Sequence, residues 1–517
     1  MTKFVIGSRR NLSILFSIIA ASFLTRALAI WFFRPEFAGW FNHTYYYFVQ
    51  TRSLIDTGVL PFSDLPLLFF TYAGIARFLG VFGMESGEAV VTASRFLMSS
   101  VPALTAVPVY LLVLRVGKVD GMSQWKWLLV AAGAFLPLNF VHMPELLQKN
   151  AFGILLLAFL FVAVGNLLEK VSAFRVAVSI GLLALIAVTH FGTLAAALMF
   201  GASLLAASII FEGLRKPTVY LAAAGVAATA VSTVVILVAV PERFGRLVEY
   251  AAGSIANSLL GLFILEGSIA DKMFYLAGIL VPLLVVAGVA FLLRQKSREV
   301  PASGRIFLFA NLLLIYLFAA PFIDTALIPR FLLFVPLPAI VLSAYVLEFA
   351  ESKVVRVLPA VLLIGASVFM TFGETMSVVM TNGSNSAIQA ELEKLNESGL
   401  LSPDDLVVTT YGVNTAVNWF LSTKATLITE LQEGDLERYP RVLVLETNTE
   451  PMGEGPVDTD DDGELSDIER YSATRRQIEL SDEPDVFFES ETFTLYELRD
   501  LPDNWIFDRD GKWFGYR

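Results

Sequence analysis

Long apolar runs recur along the chain up to about residue 380, and each is long enough to form a helix that crosses a lipid bilayer. A hydrocarbon core of about 30 Å needs about 20 consecutive apolar residues. Runs of this kind begin near residues 11, 89, 127, 151, 175, 192, 218, 274, 306, 328 and 357. The pattern predicts a polytopic α-helical membrane protein with about 11 to 13 spans.

A shorter apolar run, Leu65 to Phe82, is compatible with a crossing helix or with one that stays at the membrane surface. Positive charge decides between these, because Lys and Arg collect in cytoplasmic connections. From residue 115 onward, alternate connections carry the cations: Arg115/Lys118/Lys126, Lys170/Arg175, Arg215/Lys216, Arg294/Lys296/Arg298/Arg305 and Lys353/Arg356. With the N-terminus also inside, this alternation predicts that the short run does not fully cross and that the C-terminal region lies outside.

Beyond residue 380 the pattern changes to a helical segment, Ser384 to Leu400, followed by short strand-like runs. These runs are DLVVTTYG, ATLIT, RVLVLE, DVFFES and FTLYELR. We therefore expect two domains. Residues 1–380 form the membrane domain, with a long first outer loop at 34–88, and residues 381–517 form a soluble, extracytoplasmic α/β domain.

Charge separates the same two regions. The 517 residues are 56% hydrophobic and 16% charged, with a net charge of -11, whereas soluble domains average about 25% charged residues. About 26 basic and 18 acidic residues precede residue 380, and about 11 basic and 30 acidic residues follow it. An acidic tail or a cation-binding surface would explain this excess, but we favour adaptation to high salt. The excess also argues against nucleic acid as a partner.

Cysteine is absent. This excludes disulfides, zinc–thiolate sites and thiol nucleophiles.

Ionisable residues cluster on the predicted outer face of the membrane domain. The three histidines, His43, His142 and His190, all fall there in the predicted topology. Charged residues accompany them: Glu36, Asp56, Asp64, Glu145, Lys149 and Arg330. Each alone is typical of an interfacial anchor or a helix end. Together they indicate a polar site, because ionisable groups at membrane depth are costly unless they line a wet cavity.

These features, in this order, resemble the GT-C superfamily of membrane glycosyltransferases, which contains protein mannosyltransferase-like and oligosaccharyltransferase-like enzymes. The resemblance covers residues 11 to about 380, and several stretches look like archaeal, halophilic members. The matching stretches are YYYFVQTRSLIDTGVLPFSDLPLLFFTYAGIARFLG from Tyr45, KNAFGILLLAF from Lys149, THFG from Thr189 and IPRFLLFVPLPAIVLSAY from Ile328. The resemblance implies transfer of a sugar from a polyprenyl-phosphate (dolichyl-phosphate) donor to an outer-face acceptor, a glycan or a protein.

The sequence departs from the family pattern at one point. Asn42-His43 stands where the family commonly carries an acidic pair, so Asp64, Glu36 or His43 would have to replace the usual base. By the same resemblance, Lys149 and Arg330 would hold phosphate. His142, Glu145 and His190 would bind the donor or a divalent cation such as Mg²⁺ or Mn²⁺. The oligosaccharyltransferase signature WWDYG does not occur, which favours transfer of a single sugar.

A second candidate site lies in the acidic region. The segment 458–469, DTDDDGELSDIE, has the spacing of a twelve-residue calcium loop, with a glycine at position 6 and a glutamate at position 12. The ligands would be Asp458, Asp460, Asp462, Glu464, Ser466 and Glu469. An isolated loop or an acidic halophilic insertion is the alternative, because the preceding segment is a poor helix former.

Two functions from different classes remain open. The first is a membrane glycosyltransferase of the plasma membrane, and the second is a catalytically inactive scaffold or chaperone of a glycan-assembly complex. Asn42-His43 favours the second. A transporter ranks last, because the sequence shows neither an internal repeat nor paired broken helices near mid-membrane.

Overall fold

The computed structural model describes residues 9–28, 41–116, 122–135, 148–213, 300–318, 333–349, 387–409, 413–421, 423–448, 485–502, 505–507 and 513–516, with isolated positions between these ranges. The chain divides into two compact units. The first unit comprises Met1–Phe33 and Phe62–Thr375, and the second unit comprises Arg34–Pro61 and Met376–Arg517. Residues 34–61, assigned above to an outer loop of the membrane domain, therefore cluster with the C-terminal residues.

Helices make up the described part of the first unit, and among the described helices up to residue 349 only α2 belongs to the second unit. Their bounds in chain order are α1 (Arg9–Leu28), α2 (Phe41–Asp56), α3 (Leu67–Val81), α4 (Ser86–Leu104), α5 (Ala106–Val116), α6 (Gln124–Phe135), α7 (Gln148–Glu169), α8 (Ala173–Ala187), α9 (Phe191–Glu212), α10 (Ala302–Phe318) and α11 (Pro336–Phe349).

By length and composition, four stretches of the described residues are long and apolar enough to cross a membrane. They are α1, the combined stretch α4–α5, α7 and α9. Helices α3, α8, α10 and α11 are apolar but shorter. The spans expected near residues 11, 89, 127, 151, 175, 192 and 306 coincide with described helices. The runs near 218, 274 and 357 lie largely outside the described residues.

A cluster of phenylalanines holds the centre of the first unit together. Phe161 of α7 stacks on Phe200 of α9 with ring centroids 3.8 Å apart, and Phe307 of α10 meets both rings edge-on. All three side chains are fully buried. Edge-to-face aromatic pairs stabilise a core by about 0.5–1.5 kcal/mol beyond their buried area, so this cluster fixes α7, α9 and α10 against one another.

A half-buried arginine lies at the C-terminal end of α7. Arg115, near the end of α5, donates from Nη1 to Asn166 Oδ1 at 3.1 Å and pairs with Glu169 at 3.1 Å. A cation at a helix C-terminus is favoured by the helix dipole. Asn166 is 17 residues from Lys149, or about 26 Å along the helix axis, so the two ends of α7 are separated by most of a bilayer core.

The second unit contains a mixed five-stranded sheet. Its strands are β1 (Leu406–Thr409), β2 (Lys424–Leu427), β3 (Val442–Thr447), β4 (Asp485–Glu489) and β5 (Phe493–Leu498). The order is β2-β1-β3-β5-β4, with β1 parallel to β2 and β3, and β5 antiparallel to β3 and β4. These strands coincide with the five strand-like runs of the sequence. A hairpin of β6 (Trp505–Phe507) and β7 (Trp513–Tyr516) follows.

Burial matches the interior position of β1, which lies between β2 and β3 in this sheet. All four of its residues are buried, as expected for a parallel strand covered on both faces. Leu406 and Val408 pack in one cluster with Val442 and Val444 of β3. At the start of β1, Asp405 is 1% exposed and accepts two hydrogen bonds from Arg441, at 3.0 and 2.6 Å.

The short helix α12 (Asn414–Phe420) connects β1 to β2, and α2 packs on it. Phe48 of α2 lies with its ring centroid 5.2 Å from that of Trp419, and Tyr45 meets Phe420 edge-on at 5.0 Å. Nearly every described residue of α2 between Thr44 and Leu54 is buried or half-buried. The tyrosine-rich segment is therefore a packed element of the second unit, held by α12.

Candidate functional site

Two of the sequence-predicted site residues form a buried ion pair in the first unit. Lys149 Nζ donates to Asp64 Oδ2, and the Leu65 N–H donates to Asp64 Oδ1 at 2.7 Å. The two side chains are 9% and 2% exposed, respectively. Both carboxylate oxygens thus accept a hydrogen bond, which is what a buried carboxylate requires to stay ionised.

Lys149 lies in the first described turn of α7, where three polar residues precede a long apolar helix. Gln148, Lys149 and Asn150 are all buried. The Tyr72 hydroxyl donates to Gln148 Oε1 at 2.5 Å, and the Lys149 ammonium lies 5.2 Å from the centroid of the Phe69 ring. Both contacts come from α3, which therefore fixes the lysine from the side.

His190 caps α9. Its Nδ1 accepts the Thr193 N–H at 3.1 Å, and its backbone is extended, as in an N-cap. In a neutral imidazole whose Nδ1 is an acceptor, Nε2 carries the proton. The capping bond thus selects the tautomer with an Nε2–H donor. The ring is half-buried and lies at the positive end of the α9 dipole.

Two further contacts bring His190 to the same region as Lys149. Gly153, one turn along α7 from Lys149, lies so close to Thr193 that a Cβ there would be 2.8 Å from Thr193 Cβ. The Leu67 N–H, at the start of α3, donates to Val188 O at 3.2 Å. The start of α3, the first described turn of α7 and the start of α9 therefore meet in one place.

This arrangement suits an anion that carries several oxygen atoms. Lys149 supplies a point charge with three donors, and the α9 N-terminus supplies a dipole and the donor of its histidine cap. Asp64 is the counterion in the structure, so an incoming phosphate competes with it for Lys149. An anion bound there would release Asp64 from its salt bridge and leave a carboxylate beside the bound group.

The other predicted residues are not all brought together. Arg330 is exposed. His43 lies in the first turn of α2, in the second unit. Glu36, His142 and Glu145 lie outside the described residues, as do all members of the calcium loop, Asp458, Asp460, Asp462, Glu464, Ser466 and Glu469.

No metal site is evident in the part of the chain that the structure describes. Among those residues, no group of three or more His, Asp or Glu side chains could hold a metal ion. Because His142 and Glu145 are outside that part, the predicted Mg²⁺ or Mn²⁺ site at the outer face and the Ca²⁺ loop both stay predictions.

Sequence reasoning found Lys149, Asp64 and His190 singly but missed Gln148 and Tyr72, which hold the lysine in place. The sequence does contain a feature that marks Gln148 as a site residue. Three consecutive polar residues open an otherwise apolar helix, and their burial in a membrane helix demands partners. Nothing in the sequence pointed to Tyr72 as that partner, because the two residues are separated by 76 positions.

Comparison with known proteins gives a likeness of fold. No family model and no curated protein matches the sequence. Among solved structures, the crystal structure of ArnT from Cupriavidus metallidurans bound to undecaprenyl phosphate matches with a TM-score of 0.51 and 10% identity. The match covers 95% of this chain and 98% of that chain.

At 10% identity this likeness shows the fold alone. The fold is that of a polytopic helical membrane protein, in agreement with the apolar helices α1, α4–α5, α7 and α9. This fold agrees with the polytopic helical architecture expected from the sequence.

Proposed function

We propose that the chain is a membrane glycosyltransferase that takes a sugar from a polyprenyl-phosphate donor and transfers it to an extracytoplasmic acceptor. The observation that carries this proposal is the buried Asp64–Lys149 pair beside the His190-capped start of α9. It occurs in a chain with the fold of ArnT, whose crystal structure is bound to undecaprenyl phosphate.

Lys149 and the α9 N-terminus would hold the phosphate of the donor. When the sugar leaves, negative charge grows on the phosphate oxygens, and fixed donors aimed at those oxygens stabilise the transition state. The Nε2–H of His190 would be one such donor, because its tautomer is set by the cap to Thr193. Arg330, His142 and Glu145 stay proposed partners of the donor or of a divalent cation.

Asp64 would act once Lys149 has turned to the phosphate. In the unliganded chain its Oδ2 accepts from Lys149, and a carboxylate that is so engaged is a poor base. Donor binding would free Oδ2 to accept the proton of the acceptor hydroxyl or amide. The ion pair would then couple the two substrates, since the base is released only when the donor phosphate is in place. Glu36 and His43 are the alternative bases.

The scaffold hypothesis is the second candidate. It rests on Asn42-His43 in place of the family's acidic pair and on the complete pairing of Asp64, which is also what a purely structural ion pair would show. An inactive relative would keep the fold and the pair while lacking transfer activity.

The experiment is sugar transfer by the purified chain in liposomes, from radiolabelled polyprenyl-phosphate donors, with and without a chelator. We expect transfer by the wild type and loss of transfer in Asp64→Ala. The matched control is Lys126→Met, which breaks a partly buried pair, Lys126–Glu348 at 2.8 Å, and should keep transfer once folding is verified. No transfer from any donor would favour the scaffold, and full activity of Asp64→Ala would remove Asp64 as the base.

A further inference from the structure

The second unit contains a cavity of about 330 Å³ between α2, the helix at 387–397 and the C-terminal end of α12. Its size is at the lower end of the range of about 300–1,000 Å³ found for small-molecule sites. The walls are formed by Arg52, Glu393, Asn396, Glu397, Trp419 and Phe420. All of these residues belong to the second unit, whereas Asp64 and Lys149 belong to the first.

One wall is aromatic and rigidly held. The Arg52 guanidinium lies 4.6 Å from the centroid of the Trp419 ring and donates to the carbonyls of Trp419 and Asn418 at 3.1 and 3.0 Å. A cation at the end of α12 suits the helix dipole. Through these contacts Arg52 fixes the corner formed by Trp419 and Phe420. Phe48 of α2 packs against the Trp419 indole.

Arg52 is poorly available to bind an anion. Burial lowers the pKa of its guanidinium, and the charge of Asp56 raises it in partial compensation. Two of its donors are already directed at backbone carbonyls. An anionic ligand would also meet the carboxylates of Glu393 and Glu397, which line the same cavity, and like charges repel. The cavity therefore disfavours phosphates and carboxylates.

The helix at 387–397 contributes two carboxylate acceptors and the Asn396 amide, which can both donate and accept. Glu393, Asn396 and Glu397 have the i, i+3, i+4 spacing that puts side chains on one helix face, and all three are exposed. Gln389 donates to Glu393 Oε1 at 3.1 Å, which holds that carboxylate in position. A ligand that contacts the two carboxylates must supply hydrogen-bond donors.

The two walls together match one chemical class. A sugar ring carries hydroxyl donors around its edge and C–H groups on its faces, and those C–H groups are attracted to the negative face of an aromatic ring. A hard divalent cation fits less well, because calcium takes six to eight oxygen ligands and Arg52 adds positive charge. We propose that this cavity is a carbohydrate-binding site, with Glu393 and Glu397 accepting sugar hydroxyls beside the Trp419–Phe420 corner.

The test is saturation-transfer NMR on the full chain in lipid nanodiscs, with a panel of methyl pyranosides and short oligosaccharides and without any lipid-linked donor. The proposal predicts magnetisation transfer to sugar ring protons. It also predicts affinity about tenfold weaker in Glu393→Gln/Glu397→Gln, because hydrogen bonds to charged acceptors are the strong ones. Tighter binding of single sugars would indicate a free saccharide as the ligand. Tighter binding of oligosaccharides would indicate a larger glycan.

The matched control is Glu433→Gln/Glu437→Gln, which removes the same charge from two exposed positions of the second unit that do not line the cavity. This variant should bind as the wild type does. The proposal is overturned if no saccharide of the panel receives magnetisation, or if the Glu393/Glu397 variant binds with unchanged affinity. Calorimetric binding of calcium alone that depends on Glu393 and Glu397 would also overturn it. Since no donor is used, failure of the transfer assay leaves this result unaffected.

Discussion

Removing Lys149 should destabilise the first unit strongly, because it leaves a carboxylate behind. In Lys149→Met, the Asp64 carboxyl stays at a position where its side chain is 2% exposed. It also loses the ammonium that binds Oδ2. Breaking a buried ion pair by removing one partner costs about 3–5 kcal/mol. We expect a loss of that size in the free energy of unfolding.

The double variant Asp64→Asn/Lys149→Met tests the origin of this cost. With the charge gone from both positions, most of the stability should return, since buried pairs replaced by neutral groups are often neutral in effect. The coupling energy between the two positions should be about 2–3 kcal/mol.

The assay for this cycle is reversible unfolding in mixed detergent micelles, followed by tryptophan fluorescence. Lys126→Met serves as the control for loss of a buried lysine. A loss below about 1 kcal/mol in Lys149→Met, the value of a surface pair, would refute the buried pair.

Three further predictions address other features. Gly153→Ala should destabilise the first unit by about 1–3 kcal/mol, because its Cβ collides with Thr193, whereas Gly201→Ala on α9 meets open space and should leave stability unchanged or raised in the same unfolding assay. Burial raises the pKa of the Glu391 carboxyl, but hydrogen bonds from Ser490 and Thr492 and the charge of Lys394 outweigh burial, so its pKa is lowered from 4.5. Its contribution to stability is thus present above pH 4.5 and lost as the pH falls through the lowered value. Glu391→Gln should reduce the loss of stability on acidification, measured by fluorescence as the pH falls below 4.5. An unchanged dependence of stability on pH would contradict the lowered pKa of Glu391. Calcium titration by calorimetry should show one binding event that Asp458→Asn/Asp462→Asn abolishes, and equal binding by the variant would exclude the 458–469 loop.

The helices of the first unit and the strands of the second could be predicted from the sequence, because their patterns are local. Apolar length marks α1, α7 and α9, and runs of buried residues mark β1 and β3. The run beginning near 328 contains a described helix. Its helix α11 begins at Pro336, and proline is favoured at the first position of a helix.

The tertiary pairings could not be predicted, because their partners are far apart in the sequence. Asp64 and Lys149 were each singled out, yet 85 positions separate them, and charge alone does not say which of several outer-face cations pairs with Asp64. The packing of α2 in the second unit was not predicted, for the same reason. Its contacts through Arg52 to residues 418 and 419 span more than 360 positions, and the helix alone reads as an amphipathic surface element.

The central claim is that the region of Lys149 and His190 binds the phosphate of a polyprenyl lipid. It is tested most directly by native mass spectrometry of the chain with undecaprenyl phosphate and with undecaprenol, in the wild type and in Asp64→Asn/Lys149→Met. We predict that the wild type prefers the phosphate-bearing lipid and that the double variant, folded by the criterion above, loses this preference. A double variant that still prefers undecaprenyl phosphate as strongly as the wild type would contradict the account.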